Sequence, residues 1–193
     1  MKNSGLSWIT SLGGPLIALP ESVIGTWRGA LGPDDDDDPP EEDTDYWKVC
    51  ELYGLAAVFE HAGRDALALT DVPAPATYLP GRSLLVRRLA QAGDQEIVSG
   101  IGEIARTARW ESIAPLTVTE PLVLFDSVYP GAEAPEAIRL DLSPGRYEVR
   151  AVHHEPDGGS PLRLLLVSLS LTDRTAPAFP GGSRTRVRMG TKR

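Results

Sequence analysis

The sequence predicts an α+β fold that is strand-rich, with a mainly antiparallel sheet, one longer amphipathic helix and short N-terminal helices. Three observations carry that expectation. Short apolar or alternating runs, bounded by Gly, Pro, Ser and Asp, recur from Pro15 to Leu171. Only Asp94 to Ala108 repeats its apolar residues at helical spacing over several turns. The 193 residues are 41% hydrophobic and 24% charged, the proportions of an ordinary packed domain.

The elements follow in order. Pro15 to Pro20 is a short apolar run between Gly-Gly-Pro and Pro, and reads as a strand. Short helices fit Glu21 to Arg28 and Asp45 to Leu52. Gly54 to Glu60, a His-Ala-Gly-Arg-Asp turn and Ala66 to Thr70 form a hairpin pattern. Ser83 to Leu89 is a further strand. In the helical segment, Ile97, Ile101, Ile104, Ala105 and Ala108 fall at i, i+4, i+7, i+8 and i+11, one face of a helix. Strands are expected at Leu116 to Thr119, Pro121 to Asp126 and Ala137 to Leu142. After Ser143-Pro144-Gly145, the residues Arg146 to His153 alternate about Tyr147, Val149 and Ala151. The turn-rich Glu155 to Pro161 leads into a last strand, Leu162 to Leu171.

Two segments offer nothing to bury. From about 30 to 45 the chain reads ALGPDDDDDPPEEDTD, and nine of the twelve residues from Asp34 to Asp45 are carboxylates. Self-repulsion and three prolines predict a disordered, solvated acidic loop. The tail, 174–193, holds six basic and no acidic residues among Pro, Gly, Ser and Thr, and is expected to be disordered. Residues 1–173 are thus expected to form one domain interrupted by the acidic loop. Net charge is 19 − 27 = −8. Residues 1–71 carry 4 basic and 14 acidic groups, or −10, while 72–193 carry 15 and 13, or +2. An acidic chain disfavours nucleic acid as a partner and suits something basic. No apolar run approaches the roughly 18 residues of a membrane span. The start is too broken by polar and turn residues for a secretory segment, and one cysteine, Cys50, allows no internal disulfide. A cytoplasmic protein with no membrane partner is expected.

The residues that could carry chemistry lack its patterns. As a calcium loop counted from Asp34, position six is Pro39 and position twelve is Asp45, where Gly and a bidentate Glu are needed. His153 and His154 are neighbours on a strand and point to opposite faces, so neither metal nor cofactor is expected. Gly100-Ile101-Gly102 lies inside a helix rather than between a strand and a helix, and has no third glycine for a phosphate loop. Asp126, Ser127 and His153 could form a small hydrolase or transferase site, yet Ser127 sits in no nucleophile elbow. No catalytic residue is assigned. Of Trp8, Trp27, Trp47 and Trp110, three fall in the first fifty residues, near the acidic stretch. Tryptophan there serves a core or anchors a basic partner.

A set of short motifs, in order, gives a more specific reading. They are Trp8 with Ser11-Leu12-Gly13-Gly14-Pro15-Leu16-Ile17, Pro20, Trp27-Arg28-Gly29 and Asp45-Tyr46-Trp47-Lys48-Val49-Cys50. Then come Asp71-Val72-Pro73, Thr77-Tyr78-Leu79-Pro80, Leu84-Leu85-Val86-Arg87-Arg88 and Leu124-Phe125-Asp126-Ser127 with Tyr129-Pro130-Gly131. Leu140-Asp141-Leu142-Ser143-Pro144-Gly145-Arg146-Tyr147 completes the set. Over roughly residues 7 to 170 the chain resembles the immunity protein 21 family of bacterial polymorphic-toxin systems. It departs in an acidic insertion at 34–43 and in Tyr78, where the family pattern has tryptophan.

The resemblance implies a non-catalytic inhibitor that binds and neutralises the C-terminal domain of a toxin encoded by a neighbouring gene. A binding module unrelated to toxins is the other non-enzymatic reading. The expected contact residues are Asp34, Asp35, Asp36, Asp37, Asp38, Glu41, Glu42, Asp45 and Trp47. Trp8, Gly13, Gly14, Pro15, Trp27, Tyr46 and Cys50 are expected to hold the fold.

Overall fold

The computed structural model describes residues 5–32, 41–70, 72–156 and 162–174. Asp34 to Asp38 and most of the basic tail lie outside them. Ten strands form two five-stranded antiparallel sheets. Sheet B joins β1 (Leu16–Pro20), β2 (Ala57–His61), β3 (Arg64–Leu69), β7 (Leu122–Asp126) and β8 (Ala137–Leu140) in the order β2-β3-β1-β7-β8. Sheet A joins β4 (Ala76–Leu79), β5 (Leu84–Arg88), β6 (Glu111–Val118), β9 (Gly145–His154) and β10 (Leu164–Asp173) in the order β4-β5-β10-β9-β6.

The sheets face each other across the main core. Leu16, Ala18, Leu67, Leu69, Leu122 and Leu124 of sheet B pack with Leu85, Tyr147, Val149, Leu165 and Val167 of sheet A. The two outer faces are also covered. Helix α2 (Asp94–Thr107) lays Ile97, Ile101 and Ile104 on Leu84, Val86, Leu164 and Leu166. On the far side, Ile17, Leu19, Ala66, Ala68 and Phe125 lie beneath Trp27 and Val49. Val49 belongs to helix α1 (Asp45–Cys50). This layering explains the central strands' composition: Leu16 to Leu19 are buried on both faces, so the strand is a continuous apolar run. Edge strand β8, with its exposed–half-buried–exposed–buried pattern, alternates instead.

Most sequence-predicted elements are present. The hairpin is tighter than expected: only Ala62 and Gly63 link β2 and β3, both at positive φ (49° and 73°), as a type I′ turn requires. The helix expected at Glu21 to Arg28 is a 3-10 helix that stops at Thr26. Helix α1 ends at Cys50, and Thr44 caps its start by accepting from Trp47 N at 3.1 Å. The C-terminal part of the expected acidic loop is regular, because Glu41–Asp43 form a 3-10 turn leading into that cap. Strand β4 was not expected, and β6 begins at Glu111 rather than Leu116. Among the described residues no helix is long and apolar enough to cross a membrane.

Candidate functional site

The only catalytic trio suggested by the sequence does not assemble. Asp126 and Ser127 are buried at the end of β7 in sheet B, while His153 is exposed on β9 in sheet A. Ser127 Oγ donates to Pro15 O at 2.6 Å, and the Asp126 carboxylate accepts from Leu12 N at 2.7 Å and Val128 N at 3.2 Å. Both side chains are therefore engaged in holding backbone. A groove of about 360 Å³ opens beside the C-terminal part of α2, lined by Arg82, Trp110, Arg150 and Ser168 among others. Its volume would admit a small ligand, but its lining brings no acid–base partner to the Ser168 hydroxyl. No cluster of three or more metal-ligating side chains occurs among the described residues.

The expected acidic contact residues are placed unevenly. Asp34, Asp35, Asp36, Asp37 and Asp38 lie outside the described residues, as does the Glu41 side chain. Glu42 is exposed beside Asp43. Asp45 is half-buried and internally engaged: Oδ2 accepts from Arg28 N at 3.1 Å and Oδ1 from Lys48 Nζ at 2.8 Å. Trp47 is half-buried on α1. The other tryptophans serve packing. Trp27 is buried and donates to Ser127 O at 2.9 Å, and Trp8 and Trp110 pack in the α2 cluster. His61 meets the Trp27 ring edge-on, with centroids 5.1 Å apart. Burial pushes its pKa down, against the opposing pull of the Asp45 carboxylate.

What the sequence did not reveal is a patch at one end of sheet B. Four large apolar side chains stand exposed among the described residues: Leu12 (70%), Tyr53 (86%), Val72 (42%) and Val98 (52%). Val98 is on α2. The other three lie in loops at the end of sheet B where β1 starts and β3 and β7 finish, an end fixed by the pairings Leu16↔Leu69 and Leu16↔Asp126. Leu12 lies in the loop entering β1, Tyr53 in the loop entering β2, and Val72 just past β3. At a strand spacing of about 4.8 Å, the strand ends that the Leu12 and Tyr53 loops enter are about 10 Å apart.

Each of those loops is pinned by a buried polar side chain. Asp126 holds the Leu12 amide, and Ser11 Oγ closes the same loop by donating to Gly14 O at 2.6 Å. Thr70 Oγ1 donates to Gly54 O at 2.5 Å, next to Tyr53. The buried Arg87 guanidinium donates to Thr70 O and Val72 O. The described part of the acidic stretch, from Glu42 to Asp45, flanks this end. Tyr46 N donates to Gly29 O at 2.9 Å, and the Tyr46 ring lies so close to Gly14 that an added Cβ would sit 2.4 Å from its hydroxyl. Helix α1 and its acidic approach, Glu42 and Asp43, are thereby fixed beside the Leu12 loop.

Residues 7–160, about four-fifths of the chain, match the family described as immunity protein 21. The chain belongs to the immunity protein 21 family. The match ends before β10, the central strand of sheet A. No curated protein and no solved structure matches the chain.

Proposed function

We propose that this immunity protein binds and neutralises a cognate toxin domain, encoded by a neighbouring gene, by occupying it stoichiometrically rather than by catalysis in the cytoplasm. Family membership carries the reading. The charge distribution supports it: 14 of the 27 acidic side chains fall within residues 1–71, against 4 basic ones. A basic surface such as a nucleic-acid-acting cleft would be attracted to that half, and the encounter would be accelerated by its field. The acidic contacts in this proposal are Asp34, Asp35, Asp36, Asp37, Asp38, Glu41, Glu42 and Asp45, with Trp47 beside them.

The test is co-expression with the neighbouring toxin domain, together with association kinetics of the purified pair. Growth should be rescued in proportion to the amount of immunity protein. Replacing Asp34 to Asp38 by Asn should slow association and flatten its salt dependence. Unchanged kinetics would remove those aspartates from the mechanism, and toxicity undiminished by excess immunity protein would refute neutralisation.

A further inference from the structure

We propose that the exposed apolar end of sheet B is the anchor of the complex, with Leu12 and Tyr53 seated in an apolar depression on the toxin domain that is rimmed by cationic side chains. This rests on the neutralisation reading and specifies which part of the protein holds the partner once it has arrived.

Three of the four large exposed apolar side chains among the described residues stand on loops at one end of one sheet. Single exposed apolar residues need no explanation, but three on loops at one end of a sheet do.

The loops at this end are built on buried polar side chains. Among the described residues the buried polar side chains are Thr44, Thr70, Thr77, Arg87, Asp126 and Ser127. Four of them act at this end: Asp126 on Leu12, Ser127 on Pro15, Thr70 on Gly54, and Arg87 on Thr70 and Val72. Burying a carboxylate and a guanidinium is costly unless they are satisfied by such bonds. Their product here is rigid backbone beneath apolar side chains that face water. A loop held in one conformation loses little entropy when its tip docks, which raises affinity without adding contacts.

Glu42, Asp43 and Glu51 are exposed around α1 and the loop that follows it, while the amine of Lys48, the helix's lysine, is paired with Asp45 at 2.8 Å. Apolar side chains flanked by acidic ones fit a partner with an apolar depression and a basic rim. In such an interface, central anchors govern dissociation and rim charges govern association.

Kinetics with the purified C-terminal domain of the neighbouring toxin gene test the division. Leu12→Ala and Tyr53→Ala should each speed dissociation about tenfold or more, with association nearly unchanged. Because both side chains are largely in water, the thermal midpoint of each variant should match the wild type. Glu42→Gln combined with Asp43→Asn and Glu51→Gln should slow association and leave dissociation nearly unchanged. Val98→Ala, on the helix that covers sheet A, should alter neither rate. Wild-type binding with dissociation unaffected by Leu12→Ala and Tyr53→Ala would overturn the anchor and leave neutralisation standing. No binding by the wild type would overturn both.

Discussion

Asp126 shows how much one side chain can decide. It looks like half of a nucleophile pair in the sequence, next to Ser127, but the fold turns both inward onto backbone groups of the 12–15 loop. Hydrogen bonds to a charged acceptor contribute about 1.5–3 kcal/mol each. Asp126→Ala should therefore lower unfolding free energy by about 3 kcal/mol in urea titrations, and the Leu12 amide should lose protection from hydrogen exchange. Retained protection at Leu12 would show that the loop is held by something else. His61 gives a pH-dependent expectation. Its folded pKa lies below the ordinary 6.5, chiefly through burial against the sheet B outer layer. Below about pH 6.5 the unfolded chain then binds the proton more readily, so stability is lost as pH falls through that value towards the folded one. His61→Gln should narrow the stability drop between pH 7.5 and pH 5.5 measured by urea unfolding. An equal drop in both proteins would remove His61 as a contributor.

At the scale of elements, α2 was the most legible part of the sequence, because its Ile97, Ile101 and Ile104 stripe states both the helix and the buried face. Ile101→Ala, at a site 1% exposed, should cost about 3 kcal/mol, read as a lower urea midpoint at unchanged m-value. A loss under about 1 kcal/mol would mean that α2 is not firmly docked on sheet A. Strand β4 escaped notice for a physical reason. It has four residues, preceded closely by Pro73 and Pro75 and followed by Pro80, and its pairing comes from β5 and an isolated bridge to Ile9. The first half of β6 was hidden by Pro115, which an edge strand accepts at a register shift between Ser112 and Pro115. The N-terminal helix was placed correctly but tightened to 3-10 geometry.

For the whole molecule, most strands could be read but their arrangement could not. Apolar runs such as Leu16 to Leu19 and Leu164 to Val167 announce two-sided burial. They do not say that two sheets share one core while helical segments close the outer faces. Nor does composition show which apolar residues the fold leaves in water. Leu12 and Tyr53 resemble any loop leucine and tyrosine until sheet register brings their loops to one end. Charge, by contrast, was legible at once, since the −10 of residues 1–71 needs only counting. The central claim is that this molecule is one half of a toxin–inhibitor pair. Affinity for the neighbouring toxin domain, measured at low and moderate salt with toxin activity followed in parallel, tests it most directly. Nanomolar or tighter binding, with inhibition saturating at a fixed stoichiometry and association slowing steeply with salt, is the predicted result. Full toxin activity in the presence of excess immunity protein would contradict it.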